Sequence, residues 1–413
     1  MTGYELLIRN ARLRDRAGLV DIAVDSGRIS AIGDLNVYAE REIDAQGCIV
    51  SEPFVIPHLH LCKAYTLSAV GEDALLHYQS DSMTGSSRAI ELAREVKKRY
   101  SVSWVYENAK RAVLEVVKHG CLAVRGFADV DSLAGLTAVE ALLKLRADVG
   151  EVVELQVVAF PQEGVVREPD AEELLWRAAE MGCDVMGGIP WIEYAEEDMK
   201  RHIDTVFDIA TTFDKDVTML TDDTGDPTLR TTEMLTLETR RRDWAGRVSA
   251  CHARALALYP MQRLVRLAGL MKTNGVGLVI SPHTGSLYAP VRNLTSLGVN
   301  VALGQDDIED AYYPFGRGSM LEIIFLAAHL FRMTDSQSLE HLFNMATFNA
   351  AHIMKLNGYG IAVGGEANLI VLDAPTVRES VKNHNPPRYV ISRGRIIAES
   401  GELKQEIIGL GKH

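Results

Sequence analysis

Pro53-Phe54-Val55-Ile56-Pro57-His58-Leu59-His60-Leu61-Cys62-Lys63 is an apolar run that ends in two histidines one residue apart. The run reads as a buried β-strand. Side chains alternate faces along a strand, so His58 and His60 project from one face at its C-terminal end. Two imidazoles so placed suit one zinc, iron or similar divalent cation. A bare His-x-His equally describes two polar residues at a strand end, and the downstream residues tip the balance toward a metal.

Seven more strand-like runs lie downstream: Cys121 to Phe127, Glu154 to Pro161, Cys183 to Pro190, Asp216 to Thr221, Arg247 to His252, Val276 to Pro282 and Val299 to Asp307. Helical periodicity fills spacers such as Ser103 to Lys118, Ala171 to Met181, Thr231 to Trp244, Pro260 to Thr273 and Gly318 to Phe331. Continuous apolar strands alternating with amphipathic helices mean a parallel sheet covered by helices. Eight such units close into an α/β (β/α)8 TIM barrel. An open doubly wound sheet is disfavoured, because no glycine-rich phosphate turn follows any strand.

Both ends of the chain read differently. Tyr4 to Leu13, Val20 to Val24, Arg28 to Gly33 and Glu42 to Asp44 are strand-like, with a turn signal at Asp25-Ser26-Gly27. Ala367 to Asp373 and Arg388 to Ala398 answer them at the far end. Each set is too short for a core of its own. One composite β-sandwich from residues 1–52 and 364–413 is therefore expected, around a catalytic barrel of residues 53–363.

The 413 residues carry a formal charge of -13, which argues against nucleic acid as a partner, since phosphate selects basic surfaces. Cys48, Cys62, Cys121, Cys183 and Cys251 are scattered, with no C-x-x-C, as in a reducing compartment. No signal peptide is visible at Met1 to Arg9, and no run approaches the roughly 20 apolar residues of a membrane span. A cytoplasmic protein without a membrane partner is expected.

Active sites of such barrels lie at the C-terminal ends of the strands. There the chain places His58 and His60, Pro161-Gln162, Asp222-Asp223, His252, Ser281-Pro282-His283 and Gln305-Asp306-Asp307. His77, His202, His329, His341 and His352 fall elsewhere and read as surface or helix-packing residues. Each strand-end group taken alone is as well explained by a cap or turn; together they favour function.

On these residues the sequence resembles the amidohydrolase superfamily, and within it the cytosine deaminase group. His58-Leu59-His60-Leu61, His252 and Asp306-Asp307 match that group's motifs on strands one, six and eight. Leu155 to Gly164 is similar to its third-strand motif, whose glutamine contacts the pyrimidine, and Tyr312 to Gly316 and Gly360 to Leu369 match further segments. Three departures stand out. The group places a metal-binding histidine on strand five, three residues before a catalytic glutamate. Here that stretch is Asp216 to Asp223 without histidine, and the glutamate position falls to Asp223, or to Asp222 if the alignment slips by one. Cys62 stands for an aspartate, and Gln305 for a histidine.

The resemblance implies one divalent metal ion, zinc or iron, held by His58, His60 and Asp306. His252 is the candidate to fill the fifth-strand vacancy; Cys62 and His283 are weaker ones. A catalytic zinc site needs three protein ligands and an open position. In the implied chemistry the cation lowers the pKa of a water toward neutrality. Asp306 acts as general base, His252 orients the nucleophile or stabilises developing charge, and Asp223 passes a proton to a ring nitrogen. Gln162 binds a ring amide edge through paired donor and acceptor. Asp307, Lys63 and His283 complete the substrate side, with Lys63 meeting an anionic group or merely solvated. The expected activity is hydrolytic deamination of a pyrimidine-, triazine- or pterin-like heterocycle. The alternatives are hydrolysis of another bond (cyclic amide, carbamate or ring substituent) and a metal-free binding protein on this scaffold. A small heterocyclic substrate and a homo-oligomer are the expected partners.

Overall fold

The computed structural model describes residues 3–71, 73–78 and 83–411. The eight apolar runs form parallel strands whose order in the sheet follows the chain: Phe54–Leu59, Cys121–Asp129, Glu154–Phe160, Val185–Gly188, Asp216–Thr221, Val248–His252, Gly277–Ile280 and Val301–Leu303. A bridge between Leu59 and Asp306 joins the last strand's end to the first. The sheet is therefore a barrel. Phe54–Leu59 and Val248–His252 are buried at every position, as strands covered on both faces must be.

Helices cover the outside because their apolar residues recur at helical spacing. Val102–Lys118 begins at Ser101, whose hydroxyl accepts from the Trp104 amide, and it buries Val105, Ala109, Ala112, Val113 and Val116. The fourth strand is the narrowest join. A Cβ on Gly187 would lie 2.8 Å from the Ala159 carbonyl, and one on Gly188 would lie 3.0 Å from Met219 and from His202 Nε2. Only glycine lets the third, fourth and fifth strands meet there.

The eighth strand is shorter than the sequence suggests. The apolar run predicts Val299 to Asp307, but regular pairing covers only Val301–Leu303. Beyond it Asp306 takes a left-handed backbone, φ 65°. That turn ends the strand and redirects its main chain onto the first.

The terminal segments build two sheets. One is ordered Arg28–Gly33, Val20–Asp25, Tyr4–Ala11, Ala39–Asp44, and its last pair is parallel. The other takes Val50–Ser51 from the N-terminal part and pairs it with Leu369–Val371, followed by Tyr389–Ser392, Arg395–Glu399 and Glu402–Leu403. Leu6, Ile8, Ile22 and Val24 share one core with Leu369, Val371 and Ile391. Neither terminal segment could bury those faces alone.

A long excursion separates the first strand from Val102–Lys118. It is fastened by Lys97, whose ammonium lies 2.9 Å from Asp129, 2.6 Å from Asp131 and 3.0 Å from Glu163. No helix among the described residues is long and apolar enough to cross a membrane.

Candidate active site

At the C-terminal mouth His58 and His60 do project to one side, their ring centroids 5.0 Å apart. Phe127 packs against both, at 4.3 and 5.1 Å. His58 Nε2 is 2.9 Å from Asp306 Oδ1, and His60 Nε2 is 3.7 Å from the same oxygen. Among the described residues these three form the group whose donor atoms, all within 4.8 Å of one another, suit a cation. Ligands about 2 Å from one zinc stand roughly 3–3.5 Å apart, so a small contraction completes the geometry. Two buried imidazoles and a carboxylate are the right donors, and His60 Nδ1 has no hydrogen-bond partner among the described residues. The residues fit the implied metal.

The protonation pattern agrees. Burial, with Lys63 and His58 beside it, holds His60 well below the usual histidine range, so the ring is in its neutral, ligating form. Burial alone would also depress His58, but Cys251 and the Asp306 carboxylate overcome it and raise the pKa to about 10. Burial opposes charge on Asp306 too. Its three facing histidines, His252, His58 and His60, nevertheless keep it well below the carboxylate range.

His252 Nε2 lies 3.7 Å from Asp306 Oδ1, beside the three donors, and its Nδ1 lies 4.0 Å from Asp223. Burial keeps this ring neutral. Its backbone, like that of Ala253, is left-handed, φ 65° and 49°. Such conformations are costly for non-glycine residues and collect at functional sites.

A cleft opens over this group, lined by His60, Gln162, Asp223, His252, Asp306 and Asp307 together with Ile90, Ile189, Trp191, Leu220 and Tyr312. The ambiguity between Asp222 and Asp223 resolves here. Asp222 is buried away from the cleft and accepts from the Thr231 and Thr232 amides at the start of helix Thr231–Arg241. Asp223 faces the cleft. Three residues before it, Leu220 occupies the place where the resemblance puts a ligating histidine.

Three of the expected roles are corrected by the structure. Lys63 is neither solvated nor on the cleft wall. It is buried, 3.6 Å from Asp129, and donates to Gln162 Oε1 at 2.5 Å. Because an ammonium only donates, Lys63 takes one of the two lone pairs of Gln162 Oε1, while the Gln162 NH2 remains a donor for the cleft. His283 is also absent from the lining. Its Nε2 donates to the Gln305 carbonyl at 3.1 Å, and its ring packs on Tyr313. Cys62 accepts from the Asp129 amide, so it is a structural thiol here.

Of the other histidines, His202 is a core residue satisfied by Glu193 and the Ile189 amide, while His77, His329 and His352 are exposed. Sequence reasoning missed the apolar lining and Thr284, which donates to Asp306 Oδ2 at 2.7 Å. Position alone pointed to Thr284, since it follows His283 at a strand end.

The fold and this donor set define a metal-site hydrolase of the barrel type. The Amidohydrolase family model matches residues 41–398, and the chain belongs to that family of enzymes, which hydrolyse carbon–nitrogen bonds. It is 30% identical over 411 residues, 98% of each chain, to the N-isopropylammelide isopropyl amidohydrolase of Pseudomonas sp. (strain ADP). Among solved structures it is similar to 5-methylcytosine deaminase from Klebsiella pneumoniae, with TM-score 0.87 and 29% identity, covering 95% of this chain and 97% of that one. It is also similar to N-isopropylammelide isopropylaminohydrolase from Burkholderia multivorans, with TM-score 0.83 and 26% identity over 97% and 100% of the two chains.

Proposed function

We propose that the protein is a metal-dependent hydrolase that removes an exocyclic amine from a small nitrogen heterocycle. The observation that carries this reading is the His58, His60 and Asp306 group at the floor of a cleft walled by Gln162, His252 and Asp307. His58, His60 and Asp306 hold one divalent ion, zinc or iron, with His252 beside them. When bound, that ion supplies Lewis acidity and an activated water.

The chain's own groups do the rest. Asp306, kept anionic by its histidines, accepts a proton from the nucleophile and returns it to the departing amine. His252 stays neutral and orients the nucleophile by hydrogen bonding. Gln162 donates its NH2 to a carbonyl oxygen or unprotonated ring nitrogen, which favours oxo-substituted rings. Burial and the adjacent Asp306 and Asp310 carboxylates hold Asp307 well above the usual carboxylate range, so it faces the ring as a neutral acid and donates as well. Ile90, Ile189, Trp191, Leu220 and Tyr312 sandwich the ring and exclude water.

A second reading concerns the leaving group. Asp223 lies 2.9 Å from the Arg254 guanidinium, which holds the side chain at that edge of the cleft and works against its reaching a ring nitrogen as proton shuttle. This favours an amine whose departure needs little help from that side, such as an alkylamine. The test is a panel of amino- and alkylamino-substituted pyrimidines, triazines and pterins given to zinc- and iron-loaded protein. Ammonia or alkylamine release with the ring intact by mass spectrometry supports the proposal. Ring opening, or silence across the panel, rejects it.

A further inference from the structure

Arg254 is buried beside the cleft, yet the proposed hydrolysis leaves it without a task. The left-handed pair His252-Ala253 turns the chain so that its side chain runs back across the ends of strands five and seven. Nε lies 2.9 Å from Asp223 Oδ1. Nη2 donates to the Thr284 carbonyl at 3.3 Å and to its hydroxyl at 3.2 Å. The hydroxyl proton of Thr284 has two acceptors in reach, the Ser281 carbonyl at 3.0 Å and the Asp306 carboxylate at 2.7 Å. The shorter, charged contact with Asp306 is the stronger.

Room for this arrangement comes from Gly285. A Cβ there would lie 2.6 Å from Arg254 Cζ and closer still to Nη1. The guanidinium is thus seated in a space that glycine alone leaves open.

We propose that Arg254 is a positioning residue for the metal and its base. One branch is the ion pair with Asp223, whose carboxylate lies 4.0 Å from His252 Nδ1 without a hydrogen bond to it. The other runs through Thr284 to Asp306 Oδ2. A planar fork serves both at once; a lysine, as a point charge, satisfies one. The relay orders the side of the site where strand five contributes Leu220 and no donor. Its effect on turnover rests on the proposed deaminase reading, but its effect on metal affinity does not.

The experiment compares wild type with R254K, G285A and T284V. G285A keeps the arginine but displaces it, and T284V cuts only the branch to Asp306. Zinc affinity by chelator competition is read on every variant that keeps wild-type circular dichroism, and kcat and KM are read on the substrate found by the panel. Partners behind metal ligands are each worth about ten- to a hundredfold in affinity or activity. About tenfold weaker zinc binding is expected in T284V and G285A, a smaller loss in R254K, and kcat falling with KM within about twofold. Folded variants with wild-type zinc affinity and kcat overturn the relay. Zinc binding without turnover of any heterocycle sinks the deaminase reading while the affinities still decide the relay. A wild type that binds no zinc overturns both.

Discussion

Leu59 and Asp306 form the bridge that closes the barrel, and the same turn of chain presents the cation's donors. The His60 amide donates to the Asp306 carbonyl at 2.7 Å, and the Asp306 amide donates to the His58 carbonyl at 3.0 Å. The three donor residues are therefore fixed by main-chain bonds to one another before any side chain is considered. A site set into the seam of a closed sheet is rigid, which is what differential stabilisation of a transition state requires.

Because the seam is made of main chain, Asp306→Asn is expected to keep the fold while losing the site. Zinc affinity should drop at least about a hundredfold, beyond the range seen for partners of ligands, and amine release about a thousandfold, the scale of a lost general base. Equilibrium dialysis with metal analysis, beside circular dichroism, checks this. Full metal retention in a folded variant contradicts the donor assignment.

Leu220→His restores the residue that the fifth strand lacks. Leu220 lines the cleft and pairs across the strand with Cys251, next to His252. A fourth donor there should tighten zinc binding by about tenfold or more, since zinc favours four-coordination by nitrogen and oxygen. Turnover should fall as the open position is filled. Unchanged affinity in the chelator competition shows that the side chain does not reach the ion.

Gln162→Leu removes a donor from the cleft but keeps volume. A hydrogen bond to an oxo-substituted ring is worth about 1–2 kcal/mol, so kcat/KM should fall about five- to thirtyfold. With Lys63 left facing a methyl group, Asp129 still neutralises it, and the melting temperature should change little. An unaffected kcat/KM on an oxo-substituted ring places the substrate elsewhere.

His283 provides a pH signature. Burial depresses its pKa from 6.5 to about 4. The unfolded chain then binds the proton more tightly, so this group's contribution is full above pH 6.5 and is lost as pH falls toward 4. Between pH 7 and 5 the loss is about 2 kcal/mol. His283→Asn keeps a donor and cannot titrate. Chemical denaturation of the two proteins at both pH values should show wild type losing about that much more. Parallel curves mean that His283 is already charged in the fold.

Much of the fold and of the site was legible in the residues themselves. The strand Asp216–Thr221 has the predicted bounds, and the second ends two residues later than predicted, at Asp129. Strand-end reasoning named His58, His60, Gln162, Asp223, His252, Asp306 and Asp307, all of which the fold brings to one mouth. It failed where a side chain's direction depends on a turn. Lys63 and His283 have the right residue type at the right strand end, yet point into packed polar contacts with Gln162 and the Gln305 carbonyl.

Alternation and helical periodicity belong to consecutive residues, so the order of strands and helices, the closed sheet and the His-x-His pair at its opening are set by sequence alone. Which carboxylate of Asp222-Asp223 enters the cleft, which end of Gln162 meets Lys63, and what stands behind Asp306 are not. Those depend on left-handed residues at Asp222, His252 and Asp306, and on partners such as Lys63, Arg254 and Thr284 that only the folded barrel brings within hydrogen-bond distance.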